Sequence, residues 1–112
     1  MHLYVELWKA RAKWLALPVD ERRKYFDMVG AELEKLTEAG VEMVGFAISD
    51  EETPHGSCYR YLAVWKMPGP EQVSMLERSV EEAGWHDYFE QVNARGELIP
   101  PGQALEDMIR LT

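Results

Sequence analysis

Apolar and polar positions alternate from His2 to Trp8, with Leu3, Val5 and Leu7 on one side and His2, Tyr4, Glu6 and Trp8 on the other. A period of two is the signature of a half-buried strand. Ala10 to Leu17 suits a short helix or turn before Pro18, and Asp20 suits the N-cap of a longer helix. Tyr25, Met28 or Val29, Leu33 and Leu36 then recur at helical spacing, and Gly40 provides the stop. Val41 to Ser49 predicts a second strand, and Asp50 to Gly56 a loop. Cys58 to Lys66 predicts a third strand, with Leu62 and Val64 on one face and Tyr59, Tyr61, Ala63 and Trp65 on the other. Pro70 opens a second helix with an apolar stripe of Val73, Leu76, Val80 and Ala83, which Gly84 ends. Tyr88 to Arg95 predicts strand four, with a turn over Trp85 to Phe89 as the alternative start, and Gly102 to Leu111 a terminal helix.

The halves are related. Tyr4-Val5-Glu6-Leu7-Trp8-Lys9 returns 57 positions later as Tyr61-Leu62-Ala63-Val64-Trp65-Lys66, and the helix stops Glu38-Ala39-Gly40 and Glu82-Ala83-Gly84 repeat as well. The first half carries the extra segment Ala10–Val19. The order βαββαβ plus a tail helix predicts a single α+β domain over 1–112. Its fold class is ferredoxin-like: a four-stranded antiparallel sheet, helices on one face, and the repeated hexapeptides on the central strands.

If the aliphatic positions meet the helices, Tyr4, Trp8, Tyr61 and Trp65 face away from them. Rings that bury about 150–250 Å² each would leave a patch larger than a soluble monomer usually exposes. This predicts a homodimer joined through the aromatic sheet face.

Composition narrows the partners. A net charge of −8 argues against nucleic acid and anionic membranes, whose recognition leans on clustered Lys and Arg. No apolar run reaches the length of about 20 residues that a membrane-spanning helix needs. The single cysteine, Cys58, cannot form an internal disulfide, and no signal-peptide pattern follows Met1, so a cytoplasmic location is expected. Beside Tyr59, Cys58 reads as a small buried filler rather than a nucleophile.

The βαββαβ order with an aromatic sheet face resembles the dimeric α+β-barrel superfamily. The runs Thr53-Pro54-His55, Ala63-Val64-Trp65 and Tyr88-Phe89-Glu90-Gln91-Val92-Asn93-Ala94-Arg95-Gly96 resemble a small, largely uncharacterised bacterial family within it. The resemblance implies a ligand pocket between sheet and helices or inside the barrel. The superfamily includes cofactor-independent monooxygenases, haem-dependent enzymes and muconolactone-type isomerases, so fold alone does not assign an activity.

Three residues are the candidates for catalysis. Glu6, flanked by Tyr4 and Trp8, would have a raised pKa in an apolar setting and could act as a general acid or base. The plainer reading is a Glu paired with Arg95 or Arg60. His55, between Pro54 and Gly56, could present an imidazole at a pocket mouth, or bond to Asp50 or Glu52 at the surface. Asn93 could position a substrate oxygen together with Trp65, a pairing suggested by the monooxygenases that the fold resembles. The expected ligand-binding residues are Tyr4, Trp8, Tyr61, Trp65, Gln91 and His86. His86-Asp87 forms a dyad only if a turn brings the two side chains together. No HxH, HExxH or CxxC spacing, Gly-rich phosphate loop or nucleophile elbow occurs, so neither a metal nor a cofactor is expected.

Two functions follow. One is an enzyme of the cofactor-independent monooxygenase or isomerase kind, acting on a small aromatic or apolar substrate. The other is a non-catalytic binding or accessory protein whose aromatic face is only a dimer interface, without a cavity of about 300 Å³ or more. An RNA-binding sheet of this topology would need a basic-aromatic pattern that the chain lacks.

Overall fold

A computed structural model describes residues 1–112. The elements run β1 (His2–Ala10), α1 (Ala12–Leu15), α2 (Val19–Glu38), β2 (Glu42–Ile48), β3 (Tyr61–Met67), α3 (Pro70–Glu82), α4 (Trp85–Tyr88), β4 (Phe89–Glu97) and α5 (Pro101–Ile109). The strands form one antiparallel sheet in the order β2-β3-β1-β4. This is the ferredoxin-like arrangement expected from the repeat, with the two hexapeptides on the central strands.

The register explains the repeat. Tyr4 lies opposite Trp65, Val5 opposite Val64, Glu6 opposite Ala63, Leu7 opposite Leu62 and Trp8 opposite Tyr61. The two copies are thus antiparallel neighbours, each placing its Tyr beside the other's Trp. Their local two-fold relation passes through the Glu6–Ala63 pair, where the two sequences differ most in chemistry.

The helices cover the aromatic face, which reverses the expected assignment. Tyr4, Trp8, Ala63, Trp65 and Met67 are buried under the helices together with Leu36, Val73 and Leu76. Leu3, Val5, Leu7, Leu62 and Val64 instead lie half-buried on the open side of the sheet. Consequently Tyr4, Trp8, Tyr61 and Trp65 are not an exposed platform, and a homodimer through the aromatic face is ruled out by geometry. The physical reason is the polar handle that these rings carry. Indole N–H and phenol O–H groups need partners when buried, and the helix side supplies Glu6 and Glu77.

Several boundaries also move. α2 begins at Val19 with Pro18 as its N-cap, so Asp20 sits in the first turn instead of capping; there its charge complements the helix dipole. Val29 turns inward and Met28 outward. Trp85–Tyr88 is a short helix, so β4 starts at Phe89 and not at Tyr88. β3 starts at Tyr61, leaving Cys58 exposed in the loop rather than buried. Gly40 and Gly84 both adopt positive φ, 99° and 71°. At Gly40 a Cβ would also lie 3.1 Å from the Pro68 ring, so both repeated stops require glycine.

A bulge in β2 shifts the register between Met43 and Gly45. With Val44 as the extra residue, Phe46 opposes Ala63 and its ring meets Trp8 and Trp65 at 5.6 and 5.7 Å. α5 contributes no buried residue; its Leu105, Met108 and Ile109 are exposed.

Candidate functional site

A cavity of about 560 Å³ lies between the helix face of the sheet and α1 to α4. β1 and β3 supply Glu6, Trp8, Tyr61 and Trp65; α2 supplies Phe26, Val29 and Leu33; α3 supplies Leu76 and Val80; and α4 supplies Trp85. The cavity exceeds the size that a small-molecule site requires. Of its 21 lining residues 16 are hydrophobic, so a polar group exposed to it has few competitors for a ligand's polar atom.

That group is Glu6, the one buried charged residue, only 7% exposed. Its Oε1 accepts the Trp65 indole N–H, and its Oε2 accepts an N–H of Gln91 at 2.7 Å. Gln91 is itself fully used. Its second N–H reaches Asn93 Oδ1 at 2.8 Å, while its Oε1 accepts the Trp85 indole N–H at 2.7 Å. An indole nitrogen can only donate, which fixes the orientation of the amide and leaves it to serve Glu6. Burial drives the Glu6 pKa up from the ordinary carboxyl value; the bonds from Trp65 and Gln91 and the nearby His86 charge act in the opposite direction. Neither Arg60 nor Arg95 pairs with it. Arg95 binds Glu77 at 2.8 Å and Arg60 stands over the Tyr61 ring.

A second, polar cavity of about 160 Å³ adjoins Glu6 and is lined by Tyr4, Glu77, Glu81, His86, Gln91 and Asn93, among others. Tyr4 donates its phenol O–H to Glu77 Oε2 at 3.0 Å, and burial followed by that bond raises its pKa. His86 Nε2 lies 3.7 Å from Glu81 Oε1 on α3, and it forms no dyad with Asp87. The Tyr25 phenol, bonded to the Ala83 carbonyl at 2.8 Å, is pushed up to about 12 by burial, with Tyr88 and Asp87 adding to the effect.

Of the residues singled out in the sequence, Glu6, Trp8, Tyr61 and Trp65 meet at the large cavity, and Tyr4, Glu6, His86, Gln91 and Asn93 at the small one. Asn93 is separated from Glu6 by the Gln91 amide rather than meeting Trp65. His55 joins neither cavity. It is exposed in the β2–β3 loop with φ of 58°. Sequence reasoning missed Trp14, Arg22, Phe46 and Trp85. Arg22 holds the α1–α2 turn through the Leu15 and Leu17 carbonyls and stands over the Trp14 ring. Trp85 carried one signal, an aromatic placed directly after the Gly84 stop.

The lining of the large cavity contains no His, Cys or Met. Of the residue types that hold a haem iron, only Tyr61 lines the cavity, and its ring already stacks on Trp8 and lies beneath Arg60. No cluster of three or more His, Cys, Asp or Glu side chains is arranged to hold a metal ion. No helix is long and apolar enough to cross a membrane.

Comparison with solved structures places the fold. A protein provisionally called a chlorite dismutase, TA0507, aligns with a TM-score of 0.66 at 12% identity, over 96% of this chain and 47% of its own. A mutant chlorite dismutase from Candidatus Nitrospira defluvii aligns with a TM-score of 0.59 at 17% identity, over 97% of this chain and 44% of its own. This chain thus spans a little under half the length of either. A dimeric protein of unknown function and ferredoxin-like fold from Bacteroides fragilis aligns with a TM-score of 0.51 at 13% identity, over 87% of this chain and 95% of its own. The fold that this chain shares with them is ferredoxin-like. Residues 1–111 match a family of unknown function, DUF6616, and the chain belongs to that family. No curated protein matches the sequence.

Proposed function

We propose that this chain binds a small, largely apolar aromatic molecule in the cavity beneath α2 and α3, with Glu6 as the acid–base group. The observation that carries this reading is a single buried carboxyl at the floor of an apolar cavity of about 560 Å³. A carboxyl held above its ordinary pKa is a stronger base than a free one and can serve as a general acid or base. That is the requirement of an isomerase, and equally of a cofactor-independent monooxygenase that first deprotonates its substrate. Trp65 and Gln91 orient the carboxyl, and the rings of Trp8 and Trp85 confine the ligand.

The working unit in this reading is a homodimer formed through the open, aliphatic side of the sheet. Leu3, Val5 and Leu7 of β1, Leu62 and Val64 of β3 and the exposed Val92 of β4 form an apolar surface there. The similarly sized Bacteroides fragilis protein is described as dimeric, which supports the proposal. The exposed, unpaired Cys58 fits a reducing cytoplasm.

The test is quenching of tryptophan fluorescence by a panel of aromatic and quinone ligands, since Trp8, Trp65 and Trp85 line the cavity. Saturable quenching in the wild type, with turnover lost in Glu6→Gln while binding persists, is the expected result. Saturable binding with no turnover, identical in Glu6→Gln, would leave a binding protein and remove the catalytic role.

A further inference from the structure

Glu6 and the rings around it combine in a way that bears on the charge of the ligand. The carboxyl is buried, yet every hydrogen bond it receives comes from a neutral group, Trp65 or Gln91. The chain brings no Lys or Arg within ion-pair distance of it; its ion pairs all lie elsewhere. His86 shares the small cavity with Glu6, but its ion-pair contact is to Glu81; a buried carboxylate without a directly paired cation is expensive, and neutral donors offset only part of that cost. Aromatic rings crowd the same cavity. Trp8 stacks with Tyr61 at 5.8 Å and meets Phe46 and Trp85 edge-on at 5.6 and 5.8 Å; Phe46 in turn meets Trp65. Two rings of the lining already carry a guanidinium, Arg22 over Trp14 and Arg60 over Tyr61. The three closest to the carboxyl network, Trp8, Trp65 and Trp85, carry none. Aromatic faces attract cations, Trp most strongly, and the net charge of −8 favours their approach.

We propose that the cavity takes an organic cation, a primary or secondary ammonium group on an aromatic or bulky aliphatic body. The ammonium sits against Glu6 among Trp8, Trp65 and Trp85, and the body fills the apolar volume under α2 and α3. This rests on the cavity being a ligand site, as proposed above, and it names the ligand's class. An ammonium satisfies the open lone pairs of both carboxylate oxygens, which a neutral alcohol cannot do with equal strength.

Isothermal titration calorimetry with three ligands of one shape tests the proposal: 2-naphthylmethylamine, 2-naphthylmethanol and 2-naphthoate. The amine is expected to bind about tenfold or more tighter than the alcohol, and the carboxylate not at all. In Glu6→Gln the amine should fall to within about threefold of the alcohol. A pH series adds a second readout. The other titratable or charged groups at the two cavities are Tyr4, Arg22, Glu32, Glu77, Glu81 and His86, with Tyr61 on β3 and Arg95 paired to Glu77. The difference between wild type and Glu6→Gln isolates the Glu6 contribution. That difference should grow as pH rises and Glu6 ionises, because the ammonium prefers the carboxylate. An alcohol that binds as tightly as the amine, or a carboxylate that binds best, overturns the proposal in the wild type without any variant, and leaves the cavity a ligand site. Failure of all three ligands to bind overturns both readings.

Discussion

The two faces of the sheet are built from the same strands by strict alternation, yet they are chemically opposite. The helix face carries Tyr4, Glu6, Trp8 and Trp65; the open face carries Leu3, Val5, Leu7, Leu62 and Val64. Large rings with polar handles fill the deep space under the helices and find hydrogen-bond partners there. Aliphatic residues make a flat surface suited to another sheet. Alternation guarantees that the faces differ. Which of them becomes the interior depends on where the polar handles are satisfied.

Several substitutions would break or sharpen this contrast. The largest effect is expected from Trp65→Ala on the helix face, which removes a buried ring and leaves Glu6 with one donor fewer; urea unfolding should show a loss of about 3–5 kcal/mol. If the stability were unchanged, the helix face would not be the core. On the open face, Val5→Lys should weaken the homodimer proposed above about a hundredfold or more, ~2.7 kcal/mol. Light scattering would then give half the wild-type mass while circular dichroism stays native. A variant of wild-type mass would move the interface elsewhere.

Glu6→Gln sharpens the contrast through pH. The fold holds the Glu6 pKa above the 4.5 of a free side chain, so the folded state binds this proton more tightly than the unfolded state. That contribution is fully present below the unfolded value and is lost as pH rises through the folded one. The stability of the wild type minus that of Glu6→Gln should therefore fall as pH rises from the free-side-chain value of 4.5 through the higher folded-state value in paired denaturation curves. A rising difference would mean that Glu6 is held as a stabilised carboxylate. The smallest effect is that of Tyr25→Phe, which loses the bond to the Ala83 carbonyl at the helix-side periphery. About 1 kcal/mol is expected by thermal or chemical denaturation.

Much of the site was legible along the chain. Glu6 stood out because it is the polar member of a repeat whose other copy has Ala63, and the register places these two side by side. Gln91 and Asn93 were found through the strand face that they share. His55 lines neither cavity: a Pro-His-Gly loop says only that the backbone bends, not where the loop lies. Trp85 and Phe46 were hidden for different reasons. Trp85 depends on a short helix that continues past a glycine stop, and Phe46 on a bulge whose extra residue resets its side.

The sequence by itself determined the element order, the pairing of two related halves, both glycine stops and the identity of the residue that breaks the repeat. These are local properties: periodicity, backbone conformational freedom and residue type act over a few positions. The tertiary structure alone decided which sheet face lies under the helices, that Gln91 rather than Asn93 holds Glu6, and that a cavity remains between the layers. Those outcomes depend on volumes and hydrogen-bond partners brought together from distant segments, and no alternation pattern records them.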